Sequence, residues 1–276
     1  MDFRRVEGIF LVVFLLLNMF LFYIYFEGKQ DQDSISRGSI TENLEERLHS
    51  ESIKISEPLS SKKEEGYYIS AEEVDLVDLA TKTLTNQEWH VNNNQLKSTL
   101  MNQSQVYLTN ADDLEKVTTF INNPKMVIQG SEYILNATET KAMKHYIYNQ
   151  FWEGIPFNDE TSRLDIEVVS EDFESGVVIG YEQRMIGNID PLLEKQTLIS
   201  EREAIISLYT NNRLQPGTTI KGIDLGYTRI FTVRGKNVYI PAWFVTLETS
   251  KEMRQTERVN AFTSAVISSG VSEVTH

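Results

Sequence analysis

The chain has 276 residues, no cysteine, and 26 basic against 40 acidic residues, which gives a formal net charge of −14 at neutral pH. Without cysteine, the fold cannot be a disulfide scaffold. Nucleic-acid binding needs clustered lysine and arginine, so an acidic chain without such a stripe argues against a nucleic-acid partner.

An apolar segment near the N-terminus is the first element. Residues 9–26 form a run of 18 residues with no charge and one polar side chain, Asn18. As a helix this run would be about 27 Å long, close to the ~30 Å hydrocarbon core of a bilayer. Arg4 and Arg5 precede the run and mainly acidic residues follow it. The positive-inside rule therefore predicts a single-pass cell-membrane protein with a cytoplasmic tail (1–8) and an extracellular remainder.

A cleaved signal peptide is the alternative interpretation of this segment. Signal peptides carry an apolar region of roughly 7–15 residues followed by a small-residue cleavage site. The run here is longer and ends in Tyr-Ile-Tyr-Phe, which suits an interfacial aromatic belt. A retained anchor is favoured. Within it, the Asn18 amide either faces a neighbouring helix or is tolerated singly in lipid.

Residues 27–66 are rich in charge and poor in apolar side chains, which predicts a juxtamembrane tether. Ser39-Ile-Thr-Glu42 is a capping-box pattern, and Leu44 and Leu48 follow at helical spacing, so the tether should contain one short helix. A first strand is expected at 67–69. Residues 72–84 fit either a strand or a helix.

The next elements carry clearer signals. An Asn-rich turn at 92–94 predicts a hairpin between strands at 89–91 and 95–100. A helix is predicted over 111–122, capped by Asn110 and ended before Pro124. Alternating or β-branched runs then predict strands at 126–135, 143–152, 164–170 and 177–186, with turns or links at 154–159 and 174–176.

A second helix followed by strands comes after this. Ser200-Glu-Arg-Glu203 is another capping box, and Pro216-Gly217 ends the helical pattern. Strands are predicted at 220–225, 227–233, 238–247 and 258–267, with a hairpin turn at 234–237. Pro241 within the third of these strands implies a sheet edge or a bulge.

A helix followed by an antiparallel meander thus occurs twice, which predicts an α+β fold with helices on one face of antiparallel sheets. We expect the repeat to form two extracellular α+β subdomains, at 67–190 and 191–276.

Motifs for enzymatic or metal chemistry are lacking in the sequence. The four histidines, at 49, 90, 145 and 276, are never at metal-ligand spacing, and no glycine-rich phosphate loop is present. We expect no cofactor and no catalytic residues. Ser60-Ser-Lys-Lys63 matches the S-x-x-K spacing of penicillin-binding proteins, but the S-D-N and K-T-G partners of that chemistry are missing. Asp159, Glu160 and Asp165 are the carboxylates most suited to line a loop end, although a solvated surface explains most of the acids.

Several stretches resemble the YycI (WalI) family of low-GC Gram-positive bacteria. The opening Met1-Asp-Phe-Arg-Arg5, with Phe3 where the family is expected to have tryptophan, is followed by Phe14-Leu-Leu-Leu-Asn18. The stretches 66–70, 148–157 and 239–245 are also similar to that family. The C-terminal half, with Ala-Trp-Phe-Val at 242–245 and Val-Asn-Ala-Phe-Thr at 259–263, is distantly similar to PepSY-type modules.

The resemblance implies a regulator and not an enzyme. Proteins like YycI associate with the membrane-bound sensor histidine kinase YycG (WalK), together with the related single-span protein YycH, in a two-component system that governs cell-wall metabolism. Family contacts to the kinase are thought to run through transmembrane helices. On that basis the partner-binding residues are expected to be Phe14, Leu15, Leu16, Leu17, Asn18, Phe20 and Leu21.

Two other functions stay open on the sequence. The double meander could form a PepSY-like module that masks or inhibits a surface enzyme or protease, with the apolar helix serving only as an anchor. A wall-cleaving enzyme is the more distant alternative. Whether the protein raises or lowers kinase output is not encoded in any recognisable motif.

Overall fold

The computed structural model describes residues 11, 13–22, 44–109, 113–141, 144–170, 175–249, 254–268 and 272–273. The chain divides into two compact units. One contains the described residues up to Lys54 together with Gln215–Gly217, and the other contains the described residues from Ile55 onward except that short segment.

The first unit is helical. Residues 13–22 form a helix, and α1 spans Leu44–Ser50. Leu44 and Leu48 are both buried, so the predicted helical spacing in the tether is confirmed. The helix ends in the usual left-handed cap: Ser52 has φ 58°, and the Ile53 N–H bonds back to the Leu48 carbonyl at 2.8 Å. The predicted capping box at 39–42 lies outside the described residues.

The second unit contains three further α-helices in its described part: α2 Val77–Thr83, α3 Leu114–Ile121 and α4 Glu201–Thr210. The region 72–84, which the sequence left undecided, is mainly helical. The predicted cap of α4 is confirmed, because the Ser200 hydroxyl accepts from the Glu203 N–H and the Glu203 carboxylate accepts from the Ser200 N–H. Helix α3 begins at Leu114, and the predicted cap Asn110 lies outside the described residues.

The strands are β1 Lys54–Ile55, β2 Glu65–Gly66, β3 Ile69–Glu73, β4 Gln87–Asn92, β5 Gln95–Leu100, β6 Val106–Leu108, β7 Tyr133–Leu135, β8 His145–Trp152, β9 Ile155–Pro156, β10 Arg163–Val169, β11 Gly176–Arg184, β12 Ile186–Pro191, β13 Gln196–Thr197, β14 Thr219–Val233, β15 Lys236–Glu248, β16 Arg254–Asn260, β17 Val266–Ile267 and β18 Ser272–Glu273. The first strand of the second unit's main sheets is therefore 69–73 and not 67–69. The predicted α+β class with antiparallel sheets is confirmed.

The first large sheet is antiparallel and has the order β4-β5-β11-β10-β8-β7, with β6 beside β11 and β9 beside β8. Its hairpin β4–β5 turns at Asn93 and Asn94, with φ 48° and 56°, as the Asn-rich turn predicted. One face of the sheet packs with α2 and α3 in a core that includes Val117, Phe120 and Tyr181.

The second large sheet is built around β15. Strand β14 pairs with one edge of β15, while β3 and β16 share the other edge in succession. Strands β12 and β17 extend it beyond β3 and β16, and β18 lies parallel to β14. Strands β2 and β13 form a separate two-stranded ribbon.

The prediction that Pro241 marks an edge or a bulge is wrong. Pro241 lies in the central strand, at the junction where β3 ends opposite Tyr239 and β16 begins opposite Ala242. Its carbonyl accepts from the Ala261 N–H at 3.0 Å, so its nitrogen also faces this side. A proline is tolerated there because the missing N–H falls in the gap between two partner strands.

Three other strand predictions are corrected. Residues 126–132 are turns and a 3₁₀ helix, and only Tyr133–Leu135 is a strand. The strands expected at 220–225 and 227–233 are one continuous strand, β14. The strand expected at 258–267 is split into β16 and β17 by a turn, in which the Asn260 side chain accepts from two backbone N–H groups.

The two large sheets join through the segment that follows β9. A parallel bridge pairs Phe157 with Tyr227, and the Asn158 N–H donates to the Tyr227 carbonyl at 2.9 Å. Phe157, Tyr227 and Tyr239 are fully buried and their rings pack together at 5.0 and 5.3 Å. Strand β3, from the N-terminal part of the chain, pairs within the second sheet. The predicted subdomain boundary at residue 190 stays a prediction.

Candidate functional site

The predicted partner-binding residues lie together on the helix at 13–22. Their large apolar side chains are more than half exposed, from 53% at Leu17 to 62% at Phe14. The Asn18 side-chain N–H donates to the Phe14 carbonyl one turn earlier, at 2.8 Å. This bond uses one of the two amide N–H groups, so the amide is bonded within its own helix and still has capacity for another partner.

Among the described residues, no helix combines the length and the apolar character needed to cross a membrane. The predicted span at 9–26 extends beyond the described helix at both ends. Arg4 and Arg5, which carry the topology prediction, lie outside the described residues.

The candidate carboxylates are divided between two places. Asp159 and Glu160 surround the guanidinium of Arg229, at 3.7 Å and 3.2 Å. Asp165 lies in the first sheet, where it approaches His145 at 3.3 Å and Arg163 at 3.8 Å. The structure therefore brings Asp159 and Glu160 together and leaves Asp165 apart. Each of the three carboxylates is engaged by a basic side chain, which is the pattern of structural ion pairs.

Asp159 is the least exposed carboxylate of this group, with 10% of its side chain accessible. Its carboxylate accepts from the Thr161 N–H at 3.0 Å and from the Thr161 hydroxyl at 2.7 Å. The Thr161 hydroxyl in turn contacts the Tyr239 hydroxyl at 2.6 Å. Burial raises the pKa of Tyr239 above its usual range, so this phenol stays neutral and acts as a hydrogen-bonding group. This polar cluster of Asp159, Thr161, Arg229 and Tyr239 fastens the segment after β9 to strands β14 and β15.

Sequence reasoning did not find Arg229 and Tyr239. Each lies within a strand pattern that reads as ordinary sheet, and each meets Asp159 or Thr161 only through the tertiary fold. The one local signal was that a single charged side chain, Arg229, stands in a run of aromatic and β-branched residues at 227–233.

The S-x-x-K match has no catalytic geometry. Residues 60–63 are not helical, and the Ser60 hydroxyl accepts from the Lys62 backbone N–H. Lys62 pairs with Glu64 at 2.6 Å, and Lys63 pairs with Glu203 at 3.5 Å. Neither ammonium is positioned to activate a serine. Over the part of the chain that the structure describes, no cluster of three metal-ligating side chains occurs.

Two clefts open on the second unit. The α3 cleft, of about 740 Å³, is lined by residues that include Asn86, Gln103, Asp113, Lys116 and Phe120. A hydrogen bond from Lys116 and one from the Thr109 N–H lower the pKa of Asp113 to about 2. An aspartate that is so firmly ionised serves to hold the start of α3.

The Trp243 cleft, of about 720 Å³, lies between the β2–β13 ribbon and the turn after β8. Leu225 and Trp243, opposite each other in β14 and β15, line it together with Ile155. Charged side chains surround this apolar part; those lining the cleft are Lys63, Glu64, Glu65, Glu153 and Lys195.

A family model described as "YycI protein" matches residues 30–262. The chain belongs to the YycI family. The match includes the stretches 66–70, 148–157 and 239–245 that carried the resemblance, and it begins after the helix at 13–22. YycI proteins are regulatory accessory proteins, and membership is consistent with regulation of a sensor kinase in a two-component system.

An uncharacterized protein from Eubacterium rectale is similar over 79% of this chain and 91% of its own, with 10% identity and a TM-score of 0.45. No curated protein matches the chain.

Proposed function

We propose that this YycI-family protein is a non-enzymatic, membrane-anchored regulator of a sensor histidine kinase like YycG (WalK). In this proposal the helix that includes 13–22 packs beside the kinase helices. The extracellular part holds a partner like YycH, and the regulated system governs cell-wall metabolism. Family membership supports the regulatory role.

The observation that carries the proposal is the apolar surface of the helix at 13–22. Leu11, Val13, Phe14, Leu16 and Phe20 are each 58–63% exposed. These positions point around the whole helix and not along one stripe. A helix that is apolar all round requires an apolar environment, either lipid or other helices.

Regulation requires more than association. An accessory helix shifts a kinase between two states only if it binds them with different free energies. Apolar burial offers little drive between helices in lipid, so packing and polar contacts must supply this difference. Asn18 has a donor and an acceptor to offer to a neighbouring helix, and it is the one polar side chain in the run.

A helix-face experiment tests this mechanism. Leu21 lies three residues after Asn18, on the same face, while Val13 lies about 140° away. We expect Asn18→Leu to weaken recovery of the kinase from native membranes roughly twofold to thirtyfold, because an inter-helix hydrogen bond in a membrane contributes about 0.5–2 kcal/mol. Leu21→Ala should act in the same direction, and Val13→Ala, outside the predicted partner-binding set, is the control.

The helix-face mechanism would be refuted if Asn18→Leu and Leu21→Ala gave the same kinase recovery and the same target-gene output as the wild type. A further variant separates anchoring from regulation: residues 1–26 are replaced by an unrelated single span. Loss of regulation with the foreign span supports action through the helix. Retained regulation supports instead an ectodomain that masks a surface enzyme or protease.

The proposed topology is testable because the chain has no cysteine. A single cysteine introduced by Asn102→Cys should react with a membrane-impermeant maleimide on intact cells, since Asn102 is exposed. The control variant Asp2→Cys should react only after the cells are permeabilised. The reverse pattern would contradict a cytoplasmic N-terminus.

A further inference from the structure

Strand β4 forms one edge of the first large sheet. In the described part of the chain it pairs with β5 alone. The two-residue turn at 93–94 fixes which backbone groups bond to β5: those of the even-numbered residues of β4 do, and those of the odd-numbered residues point away. The N–H and C=O groups of Gln87, Trp89 and Val91 therefore face outward at this edge.

The neighbours of β4 leave this outer edge open over residues 87–91. Helix α2 lies on a face of the sheet, where its buried side chains join the core that Trp89 and Val91 pack against. The edge is closed only before the strand begins, where the Thr85 N–H donates to the Lys125 carbonyl at 3.1 Å. Within the described chain, no backbone hydrogen bond reaches the outward groups of 87–91.

The sequence of β4 does not protect this edge. Natural edge strands avoid pairing with other chains through lysine, proline, bulges or charges on the core-facing side. The six residues Gln-Glu-Trp-His-Val-Asn include no lysine and no proline, and their pairing with β5 has no bulge. The core-facing side chains Gln87, Trp89 and Val91 are uncharged. A regular strand of this kind is suited to pair with another strand.

A row of charged side chains ends at the same edge. Glu182 of β11, Lys97 of β5 and His90 of β4 lie opposite one another in successive strands. The Lys97 ammonium is 2.8 Å from the Glu182 carboxylate. His90 is exposed, and its imidazole can donate an N–H in either protonation state. The next position in this row, one strand beyond the edge, therefore favours a carboxylate.

We propose that β4 pairs with β4 of a second copy of this chain, antiparallel about a twofold axis at Trp89. In this register, Glu88 of each copy lies opposite His90 of the other, so one interface forms two identical complementary pairs. Registers shifted by two residues place His90 opposite His90 or Glu88 opposite Glu88. Charge complementarity therefore selects the register centred on Trp89.

This inference goes beyond the proposed function and does not depend on it, because it concerns a sheet edge and not the membrane helix. The test uses the absence of cysteine from the chain. Full-length Glu88→Cys and His90→Cys, carrying different tags, are mixed in neutral detergent micelles and oxidised with copper phenanthroline. Residues opposite each other in a non-hydrogen-bonded pair have Cα atoms about 4.5 Å apart, within reach of a disulfide. We expect a disulfide-linked dimer that carries both tags.

Three control samples define the register. In Glu88→Cys alone and in His90→Cys alone, the two cysteines are diagonal neighbours about 7–8 Å apart, beyond the reach of a disulfide. Thr99→Cys mixed with His90→Cys is the matched control, because the exposed Thr99 lies opposite Glu88 but one strand further from the edge. No dimer from the Glu88→Cys and His90→Cys mixture would overturn the inference. Equal yields from that mixture and the controls would overturn it too.

Charge-reversed variants test the pairing without cysteines, by sedimentation equilibrium of the full-length protein in micelles. Glu88→Lys puts a lysine opposite His90, and His90→Glu puts two glutamates opposite each other. Each should weaken dimerisation roughly twofold to thirtyfold, since both pairs of the interface are lost. The double variant restores opposite charges and should dimerise like the wild type. Unchanged dimerisation in both single variants, or no recovery in the double variant, would contradict the register. Because both side chains are exposed, Tm should not change in any variant.

Discussion

The polar cluster between the sheets allows a sharp comparison, because two adjacent acids meet one guanidinium in different environments. Asp159 and Arg229 have side chains only 10% and 15% exposed, whereas Glu160 is 79% exposed. We expect Asp159→Ala to destabilise the protein strongly and Glu160→Ala to have almost no effect, although both remove one carboxylate from Arg229.

The magnitude follows from what each side chain contacts. Asp159→Ala removes two hydrogen bonds from Thr161, one of which is 2.7 Å long, and leaves a largely buried guanidinium with a solvent-exposed partner. Hydrogen bonds to charged groups contribute about 1.5–3 kcal/mol, and breaking a buried ion pair costs about 3–5 kcal/mol. These contributions overlap, so the expected loss is roughly 2–4 kcal/mol. An exposed pair such as Glu160–Arg229 contributes about 0–1 kcal/mol.

Urea unfolding of the full-length protein in detergent micelles, followed by tryptophan fluorescence, measures both losses. Asp159→Asn should fall between the two, because the amide oxygen still accepts from Thr161 while the charge is gone. If Asp159→Ala and Glu160→Ala cost the same within about 0.5 kcal/mol, burial does not set the strength of this cluster and the reasoning fails.

Three further predictions concern other parts of the second unit. Gly180→Ala should cost more than about 2 kcal/mol in urea unfolding, because a Cβ there would lie 2.3 Å from the Ser98 carbonyl oxygen. Ser200→Ala should cost about 1 kcal/mol by removing the cap on the Glu203 N–H, and unchanged stability would show that the capping box is dispensable. The pKa of Asp113 falls from 3.8 to about 2 on folding, so its contribution to stability is present above about pH 4 and is lost as the pH falls toward 2. Asp113→Asn should remove that part of the acid dependence, measured as Tm against pH.

Elements with local signals were predictable from the sequence. The Asn-rich turn of β4–β5 requires left-handed backbone at two adjacent residues, which asparagine accepts. The α4 cap needs only Ser200 and Glu203, three residues apart. In both cases the residues that determine the structure are the residues that form it, so no distant contact is needed.

The strand predicted at 126–132 was wrong because the contacts that determine this region come from residues distant in the sequence. Val127 and Ile128 are buried as the pattern predicted, but no strand forms there. The carbonyls of Met126 and Ile128 instead accept from Tyr181 and Gln183, side chains of a strand 55 residues away along the chain. A buried loop whose carbonyls are satisfied by distant side chains cannot be distinguished from a strand by its own pattern.

Gly226 misled the prediction in a different way. It reads as a break between two strands, yet β14 runs through it. A Cβ at this position would lie 2.7 Å from the Asn158 side chain. The glycine therefore allows the segment after β9 to approach the strand closely, and it does not form a turn.

The residues of the polar cluster also come together through contacts between positions distant in the sequence. The sequence predicted a turn or link at 154–159, whereas the structure has a tight turn at Glu153 and Gly154 followed by β9. The surroundings of this segment depend on distant contacts: Glu160 meets Arg229 across 69 residues and Thr161 meets Tyr239 across 78. Within nine residues of the chain, this segment passes from the Trp243 cleft at Glu153 to the polar cluster at Thr161. Because both large sheets hold the same short segment, its position is fixed by tertiary contacts alone, and those are the contacts that a single sequence does not reveal.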